Sequence, residues 1–191
     1  MYEGVPDPYC YSGTTILKNR LGLRDQAKLD AFETLITAQR GEEPLPAGRL
    51  SQAHYRAIHR HLFQDVFDWA GKLRTVRIAK GDSMFCYPEH IDGEIQKVFA
   101  RLQAERFLRG LSAPDFARRA AHVLAELNAI HPFREGNGRT QLTYLTLLAM
   151  HAGHPLMLAR LEPKAMLAAM VASFTSNEAP LAGMIAGLIA L

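Results

Sequence analysis

Apolar residues recur at spacings of three and four over most of this chain, and that period limits the possible folds more than any other feature. Ile91, Ile95, Val98 and Leu102, for example, follow Pro88 as a stripe along one helix face. Several such stripes, introduced by a capping residue or a proline, predict a mainly α fold, a compact helical domain. The predicted helices begin near Asp25, Ser51, Pro88, Ser112, Asn137 and Pro163.

The C-terminal part of the chain is apolar on more than one side. After Pro163 we expect Leu167, Met170 and Phe174 to face inward. The apolar stretch 181–191 is either a final core helix or a surface for an oligomer or partner. It is too short to cross a bilayer, which takes about 20 apolar residues.

One segment departs from the helical period. Residues 74–79 and 84–87 predict two short strands around a turn at Gly81 and Asp82. A hairpin alone is only marginally stable in water, so we expect it to lean on the helices. One of its edges can then stay free.

Composition limits the functional classes. The chain has 191 residues and a net charge of +3, which fits one domain, residues 1–191, with a core at about 50–180. The charge is too small, and its runs too short, to indicate nucleic-acid binding. Cys10 and Cys86 form no CxxC pair, so two reduced thiols are favoured over a lone disulfide. The opening residues lack a signal-peptide pattern, and we expect a cytoplasmic protein without membrane contact.

The stretch that bears most on function is the loop His131-Pro-Phe-Arg-Glu-Gly-Asn-Gly-Arg139, between two predicted helices. Pro132 ends the first helix, because the residue before a proline is disfavoured in the helical region. Gly136 and Gly138 flank Asn137 before the second helix, so the backbone can approach a ligand closely. Inward-facing amides and a helix N-terminus together predict an anion site suited to phosphates.

Three side chains of this loop can add chemistry to the anion site. Arg139 can donate charge-assisted bonds to phosphate oxygens. Glu135 suggests Mg²⁺, which favours one or two carboxylates together with phosphate oxygens. His131 is the residue type best suited to take a proton from a hydroxyl near neutral pH. Phe133 is expected in the core. Each feature alone is common, but a base, a metal ligand and a phosphate site in one short loop are not.

The remaining histidines do not form a convincing metal site. His59 and His61, like His151 and His154, are close in sequence, but neither cysteines nor an HExxH motif accompany them. We therefore interpret them as surface or partly packed side chains.

The loop resembles the signature of the Fic family, HPFx(D/E)GNGRxxR, from His131 through Arg139. The stretch 15–19 is similar to the start of Fic toxins and related secreted effectors, and residues 74–87 lie where the family has its target-docking flap. The resemblance implies a Fic-type helical domain with a small β-hairpin flap. The docking residues of the flap would be Ile78, Lys80, Gly81 and Met84.

The resemblance also implies an activity, the transfer of AMP from ATP onto a Ser, Thr or Tyr hydroxyl of a target protein. His131 would be the general base, Glu135 would hold Mg²⁺ between the α- and β-phosphates, and Arg139 would hold the β-phosphate. The hydroxyl would attack the α-phosphorus in line and expel pyrophosphate, so positioning and charge stabilisation would supply the catalysis. The anion hole would consist of Gly136, Asn137 and Gly138.

The chain departs from the signature at one position. The motif has a second arginine three residues after Arg139, where this chain has Leu142. In the family that arginine grips the γ-phosphate and is countered by an inhibitory glutamate. Leu142 also fits an apolar stripe with Leu145 and Ala149, so packing is its other interpretation.

Many Fic proteins inhibit themselves through a helix with the pattern (S/T)xxxE(G/N). No glutamate of this chain has Ser or Thr four residues before it; Glu178, for example, has Phe174 there. The resemblance therefore implies the toxin-like class, whose inhibitory helix belongs to a separate small antitoxin. Its targets would be ATPase subunits of bacterial type II topoisomerases, rather than the small GTPases that related effectors modify.

Two alternatives remain at the level of sequence. One is a Fic-fold transferase of another group, such as phosphoryl, phosphocholine or another nucleotidyl group. Gly138 favours AMP, because phosphorylating relatives carry a bulkier residue at that position. The other is a non-catalytic binding module, against which the intact His131, Glu135 and Asn137 argue.

Overall fold

The helices expected from the apolar stripes are present in a computed structural model, which describes residues 7–80 and 83–190. Two predicted caps illustrate how they begin. The Asp25 carboxylate accepts a hydrogen bond from Lys28 N at 3.0 Å, and the Ser112 hydroxyl accepts one from Asp115 N at 3.3 Å. The helices are α1 (Gln26–Glu42), α2 (Gln52–Phe63), α3 (Ile91–Ala104), α4 (Ala113–Ile130), α5 (Asn137–Ala152), α6 (Pro163–Phe174) and α7 (Ala179–Leu188).

Helix α4 lies at the centre of the fold. Its stripe, which includes Phe116 and Leu127, is buried, and α3, α5, α6 and α7 pack around it. Helix α2 packs against both α1 and α5. Leu181 and Ile185 of α7 are fully buried, so the first interpretation of the apolar tail, a final core helix, is confirmed. Leu191 lies outside the described residues.

Helix α6 corrects one prediction. Met170 is buried, but Leu167 is 55% exposed and points away from the core. The helix is apolar nearly all round, so composition alone does not select the inner face. The side-chain amide of Asn128 in α4 donates to Met170 O at 3.0 Å, which links this turn of α6 to α4.

The predicted hairpin is much shorter than the sequence suggested. Strands β1 (Ala79–Lys80) and β2 (Ser83–Met84) pair antiparallel, with Ala79 opposite Met84. The flanking segments leave the ladder because they bond to the neighbouring loop and helix instead. Arg74 N donates to Pro132 O at 2.9 Å, and Cys86 N donates to Ala129 O at 3.1 Å. The turn residues Gly81 and Asp82 lie outside the described residues.

Two further features concern membrane-spanning helices and the cysteines. Within the described ranges, no helix combines the length and the apolar character needed to cross a membrane. Cys10 is buried and Cys86 is half-buried, and both are free thiols.

Candidate active site

The loop between α4 and α5 begins at a residue whose backbone has a left-handed conformation. His131 ends α4 with φ 48° and ψ 64°, and its N–H donates to Leu127 O at 2.9 Å. Gly136, with φ 81°, precedes α5, and a Cβ there would collide with the Phe63 ring. Glycine is therefore required at position 136 by both conformation and space. At Gly138 a Cβ would meet no atom within 4 Å, so the surface above it is open to a ligand.

Asn137 closes the loop on itself. Its side-chain amide donates to Phe133 O at 2.8 Å and accepts from Phe133 N at 2.9 Å, and Asn137 is only 2% exposed. Phe133 is fully buried, as predicted, and stacks 3.8 Å from the ring of His59, measured between centroids. The side chain of Asn137 is thus used to shape the loop. The anion hole predicted at residues 136–138 would consist of main-chain N–H groups.

His59 packs against the loop. Its interpretation from sequence as a surface or partly packed side chain is wrong, because it is fully buried. Its Nδ1 accepts from Gly71 N at 2.8 Å, so the ring proton lies on Nε2 and is donated to Glu135 O at 3.0 Å. Burial lowers the pKa of His59 to about 4. One signal could have revealed it, since His59 follows Tyr55 by four residues on the buried face of α2.

Arg139 points towards α1. Its guanidinium pairs with the Glu33 carboxylate, donates to Thr37 Oγ1 at 3.1 Å and lies 4.7 Å above the Phe63 ring. Burial raises the pKa of Glu33, and the bond from Arg139 opposes that shift. No local pattern marks Glu33 as a site residue, because it precedes Arg139 by 106 positions.

A cleft of about 570 Å³ opens between α1 and α5 beside this ion pair. Glu33, Thr37 and Arg139 line it together with Leu142, which is half-buried. Leu142 therefore lies on the same side of α5 as Arg139 and faces the cleft. The apolar stripe suggested that Leu142 packs in the core. It is Leu145 of that stripe that is buried.

Glu135 lies at the edge of the anion site. Its carboxylate accepts from Gly136 N at 2.8 Å and lies 3.7 Å from the Arg139 guanidinium. Among the described residues no group of three or more His, Cys, Asp or Glu side chains is placed to hold a metal. A single carboxylate fits Mg²⁺ only where phosphate oxygens and water complete the coordination. That condition suits a nucleotide-dependent site.

His131 stands on the other side of the loop, next to the hairpin. Its ring is half-buried and stacks on Phe85 with a centroid distance of 3.9 Å. Of the predicted flap residues, Met84 is 55% exposed and Ile78 is half-buried, with Ile78 O accepting from Phe85 N at 3.3 Å. Lys80 belongs to β1, and Gly81 lies outside the described residues.

The N-terminal segment also reaches the loop. Asp7 accepts from Arg134 at 2.8 Å, and Cys10 forms an isolated bridge with Leu17. Arg134 occupies the variable position of the loop motif and binds Asp7. Of the predicted site residues, His131 lies beside the hairpin, whereas Arg139 lines the cleft and Glu135 lies 3.7 Å from the Arg139 guanidinium.

Comparison with known proteins identifies the family. A family model described as "Fic/DOC family" matches residues 49–149. The chain is 52% identical over 98% of both chains to "Probable protein adenylyltransferase y4lH" of Sinorhizobium fredii. It is 41% identical to "Probable protein adenylyltransferase Fic" of Escherichia coli, covering 83% of this chain and 80% of that one. BepC from Bartonella tribocorum, crystallised with bound AMPPNP, superimposes with a TM-score of 0.85 at 28% identity, covering 95% and 96%. The chain therefore belongs to the Fic/DOC family.

Proposed function

We propose that this protein transfers AMP from ATP onto a Ser, Thr or Tyr hydroxyl of a target protein. The observation that carries the proposal is the loop at 131–139, in which the His131 imidazole stacks on Phe85 beside the hairpin and Gly136 leads into the N-terminus of α5. The relatives named adenylyltransferases and the AMPPNP bound to BepC support it.

In the proposed reaction His131 takes the proton of the target hydroxyl. The oxygen then attacks the α-phosphorus, a new P–O bond forms, and the bond to the β-phosphate oxygen breaks, so that pyrophosphate leaves. The main-chain N–H groups of Asn137 and Gly138 and the positive end of α5 stabilise the negative charge of the phosphates, and the N–H of Gly136 can join them only by exchanging its bond to Glu135. Arg139 binds the β-phosphate, for which it must exchange its present partner, Glu33.

Glu135 is the residue that would hold Mg²⁺ in this reaction. When bound with the nucleotide, the ion would neutralise phosphate charge during the displacement. The carboxylate is oriented in advance, because Gly136 N donates to it at 2.8 Å. The orientation of Glu135 is thus set by the same turn that forms the anion site.

We extend the proposal to regulation and targets. The resemblance to Fic toxins, whose inhibitory helix belongs to a separate protein, supports control by a separate small antitoxin. Type II topoisomerase ATPase subunits are the proposed targets, on the resemblance to Fic toxins. The free thiols of Cys10 and Cys86 suit a reducing compartment, which supports action in the cytoplasm.

The position of the radioactive label tests the chemistry. Bacterial lysate is incubated with the protein and with ATP labelled on either the α- or the γ-phosphate, and labelled proteins are identified. AMP transfer predicts incorporation from the α-label alone. Incorporation from the γ-label would indicate phosphoryl transfer, and incorporation from neither would refute the proposed activity. A parallel series of other α-labelled nucleoside triphosphates tests the preference for adenine.

A further inference from the structure

Arg74 is a buried arginine that joins the catalytic loop to both ends of the hairpin. It is 2% exposed. Its Nε donates to His131 O at 2.7 Å, and Nη2 donates to Ile130 O at 3.1 Å. On the hairpin side, Nη1 donates to Val76 O at 2.6 Å and Nη2 to Cys86 O at 2.6 Å.

The positive charge of the Arg74 guanidinium is stabilised by the C-terminal end of α4. Among the described residues no carboxylate pairs with Arg74, and burial lowers its pKa. The carbonyls of Ile130 and His131 belong to the last turn of α4, where C=O groups lack partners within the helix. That end also carries a partial negative charge, so a cation is stabilised there. The guanidinium fork suits this position, since its donors can reach several carbonyls at once.

These bonds hold His131 in its unusual conformation. The left-handed conformation is unfavourable for a residue other than glycine, so the surrounding structure must maintain it. The ψ angle of His131 sets the direction of its carbonyl, which Arg74 Nε binds. The next carbonyl, that of Pro132, accepts from Arg74 N at 2.9 Å. One residue therefore fixes two successive carbonyls of the turn.

The same guanidinium also controls the ring that stacks on the imidazole. Phe85 packs 3.9 Å from His131, and the next residue, Cys86, is held through its carbonyl by Arg74. Cys86 N donates to Ala129 O at 3.1 Å, which ties this strand end to α4 as well. Arg74 thus positions the backbone of His131 directly and its ring through Phe85.

We propose that Arg74 is a positioning residue that aligns the His131 imidazole with the hairpin, where the target hydroxyl is presented. The inference rests on the proposed function, in which His131 takes the proton of the target hydroxyl, and on the expectation from the Fic resemblance that the hairpin docks the target. Nucleotide binding should not depend on Arg74, because the anion site at 136–139 is closed by its own bonds between Asn137 and Phe133.

The test compares Arg74→Lys with Arg56→Lys. Lysine keeps the charge at position 74 but cannot reach carbonyls in four directions. Arg56 is a matched control, because its Nε donates to a backbone carbonyl, Gly71 O at 2.9 Å, without contacting the loop at 131. The rate of α-labelled AMP transfer to lysate protein is measured against ATP concentration. A misplacement of about 1 Å costs about 10²-fold in rate, and that loss is expected for Arg74→Lys in the maximal rate, with KM for ATP unchanged.

A second readout does not depend on activity. Stacking on Phe85 shifts the ¹H and ¹³C resonances of the His131 ring, which can be assigned by their loss in His131→Ala. We expect this shift to disappear in Arg74→Lys and to remain in Arg56→Lys. If the parent protein labels nothing, the proposed function is refuted, and the resonance of His131 still decides the role of Arg74.

The proposal can be overturned in three ways. A folded Arg74→Lys protein with the parental rate and the parental His131 resonance would refute it. A rise in KM for ATP that accompanies the fall in rate would show a general structural role instead. Phe85→Leu provides a test if Arg74→Lys does not fold, since it removes the stacking ring and keeps the four bonds. A parental rate in Phe85→Leu would exclude ring alignment through the hairpin.

Discussion

Acidification should weaken this fold through one buried histidine. His59 is fully buried against the loop at residues 131–139, where Nδ1 accepts from Gly71 N and Nε2 donates to Glu135 O. A second ring proton, on Nδ1 of His59, would point at the N–H of Gly71, so that two donors would face each other. The imidazole must therefore stay neutral in the folded protein, in agreement with its pKa of about 4.

The size of the effect follows from the difference between the folded and unfolded pKa. An unfolded histidine titrates near 6.5, so the folded pKa of about 4 corresponds to about 3 kcal/mol at 1.36 kcal/mol per unit. The folded pKa is the lower one, so the unfolded chain binds more protons below pH 6.5. The full stability is present above that pH and is lost progressively down to pH 4. A loss of about 3 kcal/mol is large against a typical total of 5–15 kcal/mol.

Urea unfolding measured from pH 7 to pH 4 tests this reasoning, with the parent compared with His59→Gln. Glutamine retains a donor and an acceptor but does not titrate, so the variant should lose stability less steeply in this range. His61→Gln on the same helix is the control and should keep the parental slope, since His61 is only half-buried. Equal slopes for the parent and His59→Gln would refute the reasoning.

Three further predictions concern the cleft and the hairpin. Leu142→Arg should fold, because Leu142 faces the cleft, and should tighten ATP binding about ten-fold more than ADP binding through a bond to the γ-phosphate. Parallel titrations of ATP and ADP, with melting curves, check this; an unchanged preference would contradict it. Proline at Ile78 or Met84 should abolish target labelling, because it distorts the edge that we expect to dock the target, while the ATP affinity is retained. Equal loss of both would assign the hairpin to the nucleotide pocket. Glu33→Gln should tighten ATP binding up to about five-fold, since a partly exposed ion pair contributes up to about 1 kcal/mol and Arg139 would be released from it. Weaker binding by nucleotide titration would show that Glu33 orients Arg139 for ATP.

The fold was largely predictable because its determinants are local. The caps at Asp25 and Ser112 and the buried stripe of α4 are all visible within short windows of sequence. Leu167 was assigned to the wrong face because α6 is apolar nearly all round. The hairpin was predicted too long because Arg74 and its neighbours have strand-like character but bond to the loop at 130–132.

The site was predictable only in part, for a related reason. The residues of the loop are contiguous, so their motif could be recognised directly. Its supporting residues are distant in sequence: Arg74 precedes His131 by 57 positions, and Glu33 precedes Arg139 by 106. His59 shows a weak local signal, a polar residue on an apolar face, whereas Glu33 lies on the mostly exposed helix α1 and shows none.

The most direct test of His131 as the general base is the rate of AMP transfer by His131→Ala, measured together with the affinity of this variant for ATP. Loss of a general base typically costs about 10²–10⁴-fold in rate, and we expect a loss in that range. The dissociation constant for ATP should stay at the parental value, because the anion site at 136–139 is built by other residues. An alanine variant that labels the target at close to the parental rate would show that His131 is not the base.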